Sequence, residues 1–122
     1  MATLKGRALG FLPLTPAVFD ILLALSDSER HGYGIAKEVA DRTDGAVRLG
    51  PGTLYGTLTR LVDAGLIDDS DRTDSRASGA ASRRRYYRLT PLGREVARAE
   101  ARRLADLVRA ARAKLLLSPR RR

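Results

Sequence analysis

The chain of 122 residues has no cysteine, no tryptophan and a single histidine. Without cysteine there is no disulfide, no thiol nucleophile and no thiolate metal site. One histidine, His31, leaves no histidine cluster for zinc, although carboxylate sites stay open. Long apolar runs are missing too. The longest, Ile21-Leu22-Leu23-Ala24-Leu25, is far too short to span a bilayer. No basic-then-apolar leader with a small-residue cleavage site opens the sequence. Neither a phosphate loop nor paired catalytic carboxylates are visible, so no enzyme is expected. These absences predict a soluble, cytoplasmic protein with no cofactor, no metal and no membrane partner.

What the chain has in excess is arginine. Lys and Arg number 23 against 14 Asp and Glu, a net charge of +9 with a pI near 11.0. That balance points to a polyanionic partner or an anionic membrane surface. The charge is uneven. Residues 1–82 carry 9 Lys and Arg against 11 Asp and Glu, a net of −2, whereas residues 83–122 carry 14 against 3, a net of +11. Beyond Arg94 the arginines equally suit the solvated face of a long helix. The Arg83-Arg84-Arg85 cluster lies beside a strand pattern instead.

The length fits one small domain. Residues 1–12, with Gly6, Gly10 and scattered basic groups, read as an N-terminal arm. Thr15-Pro16 then predicts a helix start, with threonine as cap and proline in the first turn. The helix over 16–25 carries Val18, Phe19, Ile21, Leu22, Leu23 and Leu25 almost all round, so it needs partners on more than one side. A second helix follows Gly32, with Ile35, Ala36, Val39 and Ala40 opposite Lys37, Glu38, Asp41 and Arg42, and ends near Asp44-Gly45. After the extended link Val47-Arg48-Leu49, a third helix spans 53–64. Its apolar stripe is Leu54, Leu58, Leu61 and Val62; Gly52, Gly56, Thr59, Arg60 and Asp63 lie roughly opposite, with Thr53, Tyr55 and Thr57 on the flanks.

Strand patterns at 66–67 and 85–89 bracket an aperiodic stretch, 71–82, and make a hairpin with a long flexible tip. Thr90-Pro91 repeats the threonine-proline start and opens a last helix over 91–117. Its stripe is Leu92, Val96, Ala99, Leu104, Leu107, Val108, Ala111 and Leu115. At about 1.5 Å per residue this is a rod of roughly 40 Å, more than one small head can cover. The exposed remainder suggests packing against a second copy. The expected fold is mainly α with a small β-hairpin: a winged helix-turn-helix domain over 13–90, its wing at about 66–89, a dimerisation helix over 91–117 and a basic tail at 118–122. In that geometry the second helix of the pair enters the major groove and the wing reaches phosphate or the minor groove.

Four blocks resemble a known family. They are His31-Gly32-Tyr33-Gly34-Ile35; Leu49-Gly50-Pro51-Gly52-Thr53-Leu54-Tyr55; Leu58-x-x-Leu61-x-x-x-Gly65-Leu66-Ile67; and Arg85-Tyr86-Tyr87-Arg88-Leu89-Thr90-x-x-Gly93. Together, over about residues 14–115, the chain resembles the PadR family of bacterial transcriptional regulators. The resemblance implies a C-terminal helix that packs against the partner's first helix, and homodimers that bind dyad-symmetric operator DNA. Such proteins usually repress, and many release DNA when a small-molecule effector binds at or near the dimer interface.

The candidate DNA contacts carry bland alternatives. Tyr55 contacts phosphate or a base, or is a half-buried core tyrosine. Gly56 lets the backbone approach the groove, or is merely tolerated. Thr53, Thr57 and Thr59 offer hydroxyls and methyls to base edges, although Thr53 also suits a helix start. Arg60 suits guanine or phosphate, or simply solvent. Tyr33 and Lys37, at the start of the second helix, suit phosphate. His31 suits a turn or cap. Arg83 and Arg84 are the expected wing contacts, with Arg76 near the tip; strand alternation makes Tyr87 structural and Tyr86 more exposed. The dimer interface is expected at Phe19, Leu22, Val96, Leu104, Leu107, Val108, Ala111 and Leu115.

Residues 91–122 contain no aromatic, so an aromatic-stacking drug site lacks its surface. An aliphatic pocket beside Leu22, Val108 or Ala111 is conceivable, but nothing selects a ligand. A nonspecific architectural nucleic-acid binder explains the basic segment and not the near-neutral helix-turn-helix half. A membrane-surface helix over 91–117 lacks the Trp or Phe usual for interfacial anchoring.

Overall fold

The computed structural model describes residues 3–73 and 83–117, with the backbone alone at 71–73 and 83–84. Its helices start where the sequence offers caps. Thr15, His31 and Thr90 accept from the backbone N–H of Val18, Gly34 and Gly93, and Pro16 and Pro91 fill first turns, where a missing N–H is harmless. The elements run α1 (Leu4–Leu9), α2 (Pro16–Ala24), β1 (Arg30–His31), α3 (Gly32–Arg42), α4 (Pro51–Asp63), β2 (Ile67–Thr73), β3 (Arg83–Leu89) and α5 (Pro91–Ala113). The three strands form one antiparallel sheet, ordered β1-β3-β2. This is the expected winged helix-turn-helix with a long C-terminal helix; α3 and α4 are the paired helices and β2–β3 is the wing.

One core joins the parts. Ile21 and Leu22 of α2, Ile35 and Val39 of α3, Leu54, Leu58 and Leu61 of α4, Leu66, Ile67 and Tyr87 of the wing base, and Leu92 and Val96 of α5 are all buried in it. Burying each such aliphatic side chain contributes about 1.5–3 kcal/mol. The 54, 58, 61 spacing turns the opposite face of α4 outward. A second constraint sits where the wing meets α5. The Thr90 N–H donates to the Leu66 carbonyl at 3.1 Å, and the Thr90 hydroxyl donates to the Gly65 carbonyl at 2.6 Å. One turn on, a Cβ at Gly93 would fall 1.9 Å from the Leu66 carbonyl oxygen, so this approach admits only glycine.

The structure corrects the sequence reading in several places. Residues 4–9 of the expected arm are helical; Thr3 caps α1, and Ala8 is fully buried as α1 packs on α5. A six-residue helix containing Gly6 shows too little periodicity to be read. Just before Gly32 lies β1, whose two residues pair with Tyr87 and Tyr86 but are too few to alternate. Helix α4 starts at Pro51 with Gly50 as N-cap, so Thr53 is inside it rather than at its start. The wing strands are longer than expected; residues 74–82, with Arg76, lie outside the described residues, as do 1–2 and the basic tail. Helix α5 ends at Ala113, and Leu115, with φ of 63°, stands beyond it.

One ion pair, between buried Glu100 and half-buried Arg103, has no signature in the sequence pattern. Glu100 looks like surface charge in the sequence, yet it is 2% exposed. Arg103 grips it bidentately, Nε to Oε1 at 2.6 Å and Nη2 to Oε2 at 2.9 Å, and the Leu14 N–H donates to Oε2 at 3.2 Å. The carboxylate thereby ties α5 to the segment before α2. The Arg103 hydrogen bonds hold its pKa below the ordinary 4.5 despite burial. A depressed carboxylate contributes stability above its unfolded-state pKa and loses it as the pH falls through the folded value. Glu100→Gln therefore melts at a lower temperature than the parent near pH 7, and the gap closes as the pH falls below about 4.5. Thermal melts across pH measure this; a pH-independent gap would show that the charge is not the source.

Candidate nucleic-acid interface

The face of α4 turned from the core presents Thr53, Tyr55, Gly56, Thr59 and Arg60. Thr53, Thr59 and Arg60 are exposed, and at Gly56 an added Cβ would meet only the Arg60 guanidinium, at 3.8 Å. The Thr59 hydroxyl donates to the Tyr55 carbonyl, as helical threonines commonly do, at 2.9 Å. Arg60 donates to the Thr57 hydroxyl at 3.1 Å and forms no ion pair among the described residues.

Thr57 itself is corrected. It is 4% exposed, because position 57 falls three after Leu54 and four before Leu61, on the core stripe. It cannot meet a base edge.

Tyr55 is partly covered and not a core residue. It is 47% exposed, yet its ring rests against Gly32, where a Cβ would fall 2.4 Å from the hydroxyl oxygen. That contact joins the outer face of α4 to the start of α3. Tyr33 follows, 67% exposed, its ring stacked on His31 at 6.2 Å; Tyr86 meets His31 edge-on at 5.4 Å. His31, the α3 cap, thus bridges the helix pair to the wing. Lys37 is exposed, but Asp41 holds it at 2.7 Å, and that hydrogen bond raises the lysine pKa.

The wing base is charge-compensated. Arg85 pairs with Asp69, and Arg88 lies 3.8 Å from Asp68. Tyr87 is buried, as expected, and burial pushes its hydroxyl pKa up. In the strand register Arg83 and Arg84 stand opposite Thr73 and Arg72; their side chains lie outside the described residues.

The expected dimer residues divide. Leu22 and Val96 are fully buried in this chain's own core, which removes them from any surface. Phe19, Leu104 and Ala111 are half-buried. Leu107 and Val108 are exposed on the outer half of α5, and Leu115 is exposed beyond its end. Leu4, Leu9 and Leu23, outside the expected interface set, are exposed as well. A cavity of about 440 Å³ lies between α1 and α5, lined by Lys5, Ala8, Leu12, Ala99 and Arg102 among others, and not by Leu22, Val108 or Ala111. No His, Asp and Glu group among the described residues is placed to hold a metal, and no described helix is long and apolar enough to cross a membrane.

Residues 21–99 match the family model described as the transcriptional regulator PadR-like family. The transcriptional regulator Rv3488 of Mycobacterium tuberculosis is 39% identical over 90 residues, covering 73% of this chain and 76% of that protein. An uncharacterised protein of transposon TN4556 from Streptomyces fradiae is 39% identical over 87 residues, and the match spans only 22% of its length. Among solved structures, a PadR family transcription regulator of Clostridium difficile has a TM-score of 0.68 at 26% identity, covering 80% of this chain and 96% of that one. Bacillus subtilis PadR in complex with operator DNA has a TM-score of 0.60 at 22% identity, covering 71% and 46%, a likeness of fold.

The geometry separates the threonines of α4. Thr57→Ala removes a buried methyl and the acceptor for Arg60, and should lower stability by about 1–2 kcal/mol. Thr53→Ala and Thr59→Ala should stay within about 0.5 kcal/mol of the parent. Denaturant titration of the three variants checks this, and equal losses would contradict the placement of Thr57.

Proposed function

The chain belongs to the PadR-like family of transcriptional regulators, and from that premise we propose that it is a homodimeric repressor binding a dyad-symmetric operator. The observation that carries the reading is the outward face of α4: polar, hydroxyl-bearing, and flanked by Tyr33 on one side and the wing on the other. In this account α4 enters the major groove. Tyr55, Thr53, Thr59 and Arg60 meet base edges or phosphate, and Gly56 allows close approach. Tyr33 touches the backbone, and Arg83 and Arg84 of the wing reach phosphate or the minor groove.

Residues 13–90 then form the DNA-binding head and 91–117 the dimerisation segment. Exposed Leu107 and Val108, on a helix of about 34 Å that outruns the head, support burial against a second copy. A two-fold pair would set its α4 helices about 34–36 Å apart, one turn of duplex. Repression follows from occlusion: a dimer across two major grooves blocks other proteins there. The α1–α5 cavity, beside the dimer surface, is where a small-molecule effector would bear on that spacing. The site of action is the cytoplasm, where bacterial DNA lies.

A second reading, nonspecific binding driven by charge, draws on the net of +11 in residues 83–122. Selection of bound duplexes from a random library at about 150 mM salt separates the two. An enriched inverted repeat is expected, and Leu107→Glu should leave a monomer by sedimentation that no longer selects the paired repeat. No enrichment, with binding lost steeply as salt rises, would establish the nonspecific binder. A normal dimer from Leu107→Glu would overturn the interface.

A further inference from the structure

We propose that Arg48, rather than Lys37, makes the phosphate contact where α3 borders the recognition helix, an inference that rests on the DNA-binding reading above. A groove of about 370 Å³ runs between α3 and the link into α4, lined by Tyr33, Lys37, Asp41, Arg48 and Leu49 among others. It continues the outer face of α4, because Tyr55 rests on Gly32, the residue before Tyr33. The two cations in the groove differ in one respect. Lys37 is neutralised by Asp41 at 2.7 Å, and a phosphate reaching for it meets that carboxylate. Arg48 is exposed and pairs with no carboxylate among the described residues.

Its setting also suits the task. The guanidinium stands over Gly45, where a Cβ would fall 2.9 Å from its Nη2, so the glycine makes room for it. Leu49, the next residue, packs against the core, and Gly50 caps α4. The Arg48 backbone is therefore held at a fixed distance from the recognition helix. A planar guanidinium grips phosphate oxygens in pairs, which an ammonium does not. Asp41 acts as an attenuator, keeping the nonspecific attraction at this edge to a single cation.

The test is duplex affinity against salt concentration, by fluorescence anisotropy, on the selected operator and on a random duplex. Arg48→Gln should weaken both about equally, by about 10-fold, and lower the slope of log affinity against log salt by about 0.9. Arg48→Lys should keep the slope. Lys37→Gln should lower it by less than half as much, and Asp41→Asn should tighten both duplexes and steepen it. An unchanged slope in Arg48→Gln, or a loss confined to the operator, overturns the phosphate role while leaving operator binding intact. Failure of the parent protein to bind either duplex overturns the DNA-binding reading and this inference with it.

Discussion

Where the wing passes into α5, the Leu66 carbonyl accepts from Thr90 and occupies the space that any side chain at position 93 would need. This junction is the covalent route from the helix-turn-helix head to the long helix, and it is closely packed. Thr90 does three things there: it accepts from Gly93, its hydroxyl donates to the Gly65 carbonyl, and its N–H donates to Leu66. Gly65 ends the α4 turn, so one residue links the end of α4, the root of the wing and the start of α5. The direction in which α5 leaves the head is set by that geometry. In a dimer built on α5, it also sets the distance between two α4 helices. The Glu100–Arg103 pair adds a second tie, two turns further along, between α5 and the segment leading into α2.

Charge is distributed more economically than the net of +9 suggests. At the wing base Asp68 and Asp69 face Arg88 and Arg85, and on α3 Asp41 holds Lys37. Asp20 and Glu38 together hold Arg42 between α2 and α3. Arg48, just before α4, and Arg60, in its last turn, keep no such partner among the described residues. A head whose cations were all free would bind any duplex through its phosphates. On the reading proposed above, compensating most of the head's described cations lowers that background and leaves base contacts to decide where the protein rests.

Much of this was legible beforehand, for identifiable reasons. Threonine-proline pairs announced α2 and α5 because cap and first-turn chemistry is local, and the 54, 58, 61 stripe placed α4 because helical period is local too. The ends of elements were less readable. Pro51 starts α4 from a glycine cap that forms no side-chain bond, and two residues of β1 carry no alternation. What the sequence could not display was long-range pairing. Glu100 meets the Leu14 N–H eighty-six positions away, and Lys37 is removed from the set of available cations by a neighbour one turn on. That last pairing, at i and i+4, is nonetheless legible in the sequence, since such neighbours meet on one helix face. Thr57 was likewise decipherable from its offset to Leu54 and Leu61.

The central claim is that two α4 helices lie in successive major grooves of one duplex. Dimethyl sulfate interference on the selected operator tests it most directly, since methylation at guanine N7 blocks the major groove alone. The account predicts two clusters of interfering guanines related by the operator's dyad, their centres about 10–10.5 base pairs apart. A single cluster, or binding indifferent to N7 methylation throughout, would contradict it.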